Sequence, residues 1–116
     1  MTEVLVCSPN PIFIKNLYGI LVDAGLGIEI ADHHSQAISM VMQKTYSGII
    51  VDAVQLGLSV EEATRILQSI VPEIPIIVVG SDSVPAGAFS VDTPVDLEEF
   101  RQLIDHLHCS HKFSQT

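Results

Sequence analysis

Short apolar runs of strand length alternate along this chain with segments whose apolar residues recur at helical spacing, and this alternation constrains the fold most. The strand-like runs lie at residues 4–7, 27–31, 48–51, 75–79 and 88–91. Strands that alternate with helices build a parallel sheet whose two faces are covered by helices. The sequence therefore predicts an α/β domain with three layers and a five-stranded parallel sheet.

Local signals place the helices between these runs. Asn10-Pro11 is typical of a helix start, and Gly25 is typical of a helix end. Ser35 is the predicted N-cap of the second helix. A polar residue followed three positions later by Glu, at 59–62 and 96–99, predicts capping boxes for two further helices.

One connection is too short for a helix of normal length. Only residues 80–87 separate the fourth and fifth strand-like runs, which predicts a shortened or missing fourth helix. The fourth run is apolar at both parities, as in a strand covered on both faces. We expect a second copy of the chain to cover the face that this helix leaves open. The predicted homodimer is centred on Val84, Phe89 and Val91.

Size and charge exclude several classes of protein. The 116 residues fit one domain, predicted at 1–108 with a frayed tail at 109–116. The longest apolar runs are far shorter than the ~20 residues of a membrane span, and the N-terminus lacks the basic start of a secretory signal. The net charge of −9 argues against direct binding of nucleic acid. Cys7 and Cys109 lie far apart in sequence, which favours a reduced, cytoplasmic protein.

The carboxyl ends of the predicted strands are where reactive groups gather in open parallel sheets. Asp52 ends the third strand-like run, Ser-Gly-Ile-Ile-Val-Asp. A carboxylate in this place can act as a nucleophile or as a metal ligand. It can equally be an acid that accepts hydrogen bonds from loop amides, and the residues alone leave both interpretations open.

Four segments together resemble the receiver domain of two-component response regulators. They are Val-Leu-Val-Cys-Ser-Pro-Asn-Pro at 4–11, Gly-Ile-Ile-Val-Asp at 48–52, Pro-Ile-Ile-Val-Val-Gly-Ser at 75–81, and Asp-Thr-Pro-Val-Asp-Leu-Glu-Glu-Phe at 92–100. The resemblance implies a flavodoxin-like sheet with strand order 2-1-3-4-5. It also implies a signalling protein rather than an enzyme.

The family accepts a phosphoryl group from a histidine kinase on an aspartate, which matches Asp52. The resemblance implies two Mg²⁺-binding acids where this chain has Ser8 and Pro9. It implies a Ser or Thr where Gly80 stands and a Lys where Thr93 stands. Without metal and Lys, the charge of the transferring phosphoryl group loses its main stabilisation. We therefore expect an atypical receiver, independent of phosphorylation, that binds no metal or cofactor and acts on a protein partner: itself, a sensor kinase or an output domain.

Other interpretations compete with this one. A working receiver that is phosphorylated on Asp52 is the first alternative. Cys7, at the end of the first strand, resembles the nucleophile of cysteine phosphocarriers and low-molecular-weight phosphatases, but the two prolines after it remove amides from a phosphate loop. A flavin-binding module lacks suitable aromatic residues. A metal site is conceivable in a terminal cluster of His106, His108, Cys109 and His111.

Overall fold

The computed structural model describes residues 3–53, 60–80, 84–91, 98 and 100–104. In this part of the chain helices connect the five strands, except between the fourth and the fifth, and residues 100–104 are also helical. In chain order the elements are β1 (Glu3–Cys7), α1 (Pro11–Asp23), β2 (Gly27–Ala31), α2 (His34–Gln43), β3 (Gly48–Asp52), α3 (Val60–Ile70), β4 (Ile76–Val79) and β5 (Phe89–Val91).

The sheet is parallel and has the strand order β2-β1-β3-β4-β5, which confirms the predicted topology. The register between β1 and β3 pairs Cys7 with Val51. The next pair along these two strands is Ser8 and Asp52, which therefore lie side by side at the carboxyl edge of the sheet.

Two apolar cores lie on opposite faces of this sheet. Val4 and Val6 of β1 belong to the core beneath α1 and residues 100–104, whereas Leu5 and Cys7 belong to the core beneath α2 and α3. The central strands β3 and β4 are buried at every position. This confirms the three-layer prediction, because a strand covered on both faces has no polar parity.

The predicted start of α1 is confirmed. Asn10 is its N-cap, and the Asn10 Oδ1 atom accepts a hydrogen bond from the Ile12 amide at 3.0 Å. Pro11 occupies the first helical position, where a missing amide costs nothing. Beyond the other end, Gly25 has a φ of 80°, a conformation that suits glycine.

The predicted cap of α2 is wrong. The N-cap is His33, whose Nδ1 atom accepts from the Gln36 amide at 3.3 Å, and Ser35 lies inside the helix. The Gln36 side chain reaches back to accept from the Asp32 amide at 2.8 Å. This exchange resembles a capping box in which an imidazole replaces the usual hydroxyl. The capping boxes predicted at 59–62 and 96–99 include residues outside the described part of the chain.

The connection between β4 and β5 contains no helix in its described residues, 84–88, as predicted. Pro85 is buried, and Val84 packs against the core beneath α2 and α3. The Gln68 side chain of α3 donates to the Ala86 carbonyl at 3.1 Å and fastens this turn to the helix. The chain itself therefore covers β4, and the expectation that a second copy is needed there loses its physical basis.

The three residues predicted to centre a dimer interface do not form one exposed surface. Val91 is 1% exposed and belongs to the core beneath α1. Phe89 is half-buried against that same core, whereas Val84 packs on the opposite face of the sheet. None of the helices in the described ranges is long and apolar enough to cross a membrane.

Candidate functional site

A buried pair of polar side chains stands at the carboxyl edge of the sheet. The Ser8 hydroxyl donates to the Oδ2 atom of Asp52 at 2.7 Å. Ser8 is 0% exposed and Asp52 is 2% exposed. The Ser8 amide donates to the Ala31 carbonyl at 2.9 Å, which fixes the backbone from which the hydroxyl points. The parallel register thus builds the pair from residues 44 positions apart in sequence.

The Ser8 hydroxyl group takes part in a second hydrogen bond. The Asn10 amide donates to the Ser8 Oγ atom at 3.0 Å, so the hydroxyl oxygen already acts as an acceptor. A serine hydroxyl carries a single proton, and that proton is directed at Asp52. The carboxylate is therefore the acceptor, and a hydrogen bond to an ionised group is stronger than one between neutral groups.

Cys7 lies next to this pair but is not placed to react. Its thiol is 1% exposed and sits in the core beneath α2 and α3. Burial, with the charge of Asp52 as a second cause, raises the pKa of the Cys7 thiol to about 11. Nucleophilic cysteines are thiolates with lowered pKa values and some exposure. The environment of Cys7 is that of a structural core residue.

The other predicted site residues fall into three groups. Pro9 is exposed and has no side-chain oxygen to offer. Gly80 follows β4 with a φ of 91°, and its amide donates to the Val91 carbonyl at 2.8 Å. Thr93 lies outside the described residues, as does the terminal cluster of His106, His108, Cys109 and His111. The structure therefore brings Ser8 and Asp52 together and offers no side-chain donor at Pro9 or Gly80.

The described residues of this edge do not fit a Mg²⁺ site. Mg²⁺ requires oxygen ligands in near-octahedral geometry and is usually held by one or two carboxylates. Among the described residues, Asp52 is the buried carboxylate of this edge, and its Oδ2 atom accepts the hydrogen bond from Ser8. Within the described ranges no three His, Cys, Asp or Glu residues gather as metal ligands. The arrangement can hold a fixed buried carboxylate and relay a hydrogen bond to the backbone.

The sequence indicates Asp52 as a candidate site residue, but it does not predict the hydrogen bond from Ser8. For Ser8, the resemblance implies only that an expected metal ligand is absent. The signal was present in the parallel pairing of the first and third strands, which aligns the residue after Cys7 with Asp52. A hydroxyl beside a buried carboxylate in that register is a natural hydrogen-bond donor.

No family model matches the sequence, and no curated protein matches it in sequence. Solved structures do resemble the fold. A response regulator receiver domain protein from Clostridium thermocellum superposes with a TM-score of 0.81 at 17% identity, covering 97% of this chain and 98% of the other. The receiver domain of a sensor histidine kinase from Pseudomonas aeruginosa, which has a magnesium ion in its active-site cleft, gives 0.76 at 17% identity, covering 91% and 96%.

A third similar structure is a complex. It contains the receiver domain of the Saccharomyces cerevisiae response regulator Ssk1 with the histidine phosphotransfer protein Ypd1. The TM-score is 0.77 at 18% identity, covering 95% of this chain and 90% of the other. At such identities the likeness establishes the fold, and the site must be argued from its own residues. The chain has the fold of response regulator receiver domains.

Proposed function

We propose that this domain is a signalling module that binds a protein partner without being phosphorylated on Asp52. The observation that carries the proposal is the buried hydrogen bond from Ser8 to the Asp52 carboxylate. The resemblance to receiver domains implies an acid that holds Mg²⁺ at the position of Ser8. A hydroxyl that donates to the acceptor carboxylate occupies one of its oxygens and brings no charge for a cation.

The electrostatics of phosphoryl transfer support the proposal. The transferring group spreads negative charge over its oxygens, which metal ions and cationic side chains must stabilise. Ser8 and Pro9 supply neither charge nor a second carboxylate, and Thr93 stands where the resemblance implies Lys. A chain with a net charge of −9 adds no general attraction for a phosphoryl donor.

The proposed partner is a protein: a sensor kinase, an output domain or a second copy of the chain, in the cytoplasm. The structural neighbour from yeast, a receiver domain in complex with a histidine phosphotransfer protein, supports a protein as the partner. A homodimer stays a prediction, although the covered β4 face no longer supports it. Sedimentation equilibrium at tens of micromolar measures it directly.

The experiment that tests the proposal exposes the whole chain to acetyl phosphate and Mg²⁺ and measures the intact mass. We expect no acid-stable, hydroxylamine-labile increase, because Asp52 lacks the charge that stabilises the transferring group. Asp52→Asn is the matched control, since any increase that it shares with the wild type arises elsewhere. Stoichiometric modification of the wild type that is lost in Asp52→Asn would overturn the proposal.

That outcome would promote the second candidate, a working phosphoacceptor receiver. The position of Asp52 favours it, because this carboxylate ends β3 at the edge where the resemblance places the acceptor. The cysteine phosphocarrier is disfavoured by the burial and the raised pKa of Cys7. Loss of function in Cys7→Ser with full function in Asp52→Asn would revive it.

A further inference from the structure

We infer that Ser8 couples the state of Asp52 to the first turn of α1. This inference rests on the geometry of the site and not on the proposed lack of phosphorylation. Modification of wild-type Asp52 would refute the proposed function and would leave the coupling to its own test. Ser8 is a positioning residue, since it transmits the state of Asp52 to the helix through Asn10.

The coupling runs through three successive hydrogen bonds. Ser8 Oγ donates to Asp52 Oδ2 at 2.7 Å, and the Asn10 amide donates to Ser8 Oγ at 3.0 Å. The Asn10 side chain then accepts from the Ile12 amide through Oδ1 at 3.0 Å. In all three hydrogen bonds the donor lies on the side of the helix and the acceptor lies on the side of the Asp52 carboxylate.

The first turn of a helix depends on such contacts because its amides lack partners in a preceding turn. The first helical backbone bond here runs from the Ile14 amide to the Asn10 carbonyl at 3.2 Å. The acceptors of the Asn10 and Ile12 amides are instead side chains, Ser8 and Asn10 itself. The order of this turn therefore depends on Ser8 staying where Asp52 holds it.

The charge on Asp52 sets the strength of the first link. A hydroxyl bonded to a carboxylate makes a shorter and stronger hydrogen bond than one bonded to a neutral group. Any event that neutralises or occupies Oδ2 weakens the hold on Ser8, and Ser8 is then free to turn away from the Asn10 amide. The change reaches a solvent-facing position, because Ile12 in the first turn is 68% exposed.

The arrangement therefore connects a buried carboxylate to a surface that another protein can touch. Ser8 and Asp52 are both buried, so neither can be read directly by a partner. The start of α1 is the exposed end of the same hydrogen-bonded series. Coupling of this kind needs energetic evidence, which a double-mutant cycle provides.

The test measures hydrogen exchange of the Asn10 and Ile12 amides by NMR in the whole chain. We expect Ser8→Ala and Asp52→Ala each to accelerate Asn10 exchange at least about tenfold, which corresponds to about 1.4 kcal/mol. Asp52→Asn keeps an acceptor oxygen and is expected to lie between Asp52→Ala and the wild type. In the double variant Ser8→Ala/Asp52→Ala, the Asn10 amide should exchange no faster than in Ser8→Ala, because both substitutions interrupt the same series of hydrogen bonds.

Thr64→Val is the matched control. Thr64 is also a fully buried hydroxyl, but it donates to the Val60 carbonyl within α3 at 2.7 Å, away from α1. The amide of the buried residue Ile77 in β4 reports global unfolding, so each rate is divided by the Ile77 rate. If Ser8→Ala does not fold, the Asn10 exchange rates of Asp52→Ala and Asp52→Asn are compared instead. The inference then requires faster exchange in Asp52→Ala. An Asn10 rate in Asp52→Ala equal to that in Thr64→Val would overturn the inference, as would additive effects in the double variant.

Discussion

Asp52 and Ser8 form the contact on which this account depends at the scale of single residues. Asp52 could be predicted from the sequence because an acid that ends an apolar strand is a local signal. The role of Ser8 could not, because its partner is 44 residues away and is defined by strand register. Pairing of this kind is visible only after the sheet is assembled.

Two substitutions of Asp52 should differ in their effect on stability. Asp52→Asn keeps an oxygen that accepts the Ser8 proton, so we expect a change in the free energy of unfolding within about 1 kcal/mol. Asp52→Ala leaves the buried Ser8 hydroxyl without this acceptor and should cost about 1–3 kcal/mol. Urea denaturation of both variants measures the difference. Equal losses would mean that the acceptor at this position contributes nothing.

At the scale of the elements, the sequence predicts both α1 and α2, but only the predicted N-cap of α1 is confirmed. Asn10-Pro11 is a common start signal and needs no tertiary information. The cap of α2 is a histidine ring that accepts from the backbone amide of Gln36, and propensity rules rank histidine below the hydroxyl of Ser35 as an N-cap. The short turn between β4 and β5 follows from the length of the connection, but its hydrogen bond to Gln68 could not be predicted, because Gln68 reaches it from another element.

Gly19 offers a direct test of the stability of α1. It lies inside the helix on the exposed side, and a Cβ atom added there would meet nothing within 4 Å. Gly19→Ala should stabilise the protein by roughly 0.5–1 kcal/mol, because glycine loses the most backbone freedom in a helix. Gly25→Ala is the control, since a φ of 80° there makes the same change unfavourable. In thermal unfolding, Gly19→Ala should raise the melting temperature and Gly25→Ala should lower it.

A polar cluster joins β2 to the loop before β3. The Tyr46 hydroxyl donates to Glu29, and Lys44 forms ion pairs with Glu29 and Glu3. Burial, followed by the hydrogen bond to Glu29, raises the pKa of Tyr46 from 10.0 to about 12. The folded state therefore holds the phenolic proton more tightly than the unfolded state does.

This shift predicts an alkaline loss of stability. A raised folded-state pKa gives stability that is complete below the unfolded value and is lost as the pH rises towards the folded value. We expect the free energy of unfolding to fall between pH 10 and about 12, in part through Tyr46. Tyr46→Phe should show a shallower fall over the same window, with the contribution of Lys44 retained. Identical slopes in urea titrations would contradict the assignment to Tyr46.

At the scale of the whole molecule, the sheet order and the two cores could be predicted from the alternation of elements and the receiver resemblance. The segments that cover β4 could not be predicted in this way. The sequence predicts a shortened or missing helix there, but not that α3 and the described turn at 84–88 cover the strand. Apolar parity indicates that both faces of a strand are covered, and it does not identify what covers them.

The central proposal is that a hydrogen bond from Ser8, and not a metal ion, occupies the Asp52 carboxylate. A Mg²⁺ titration of the whole chain, followed through the NMR signals of the Ser8 and Asp52 amides, tests this most directly. Ser8→Asp is the matched variant, because it returns a second carboxylate to the same position. We predict no saturable shift of either amide in the wild type. Saturable binding of Mg²⁺ by the wild type, lost in Asp52→Asn, would contradict the account.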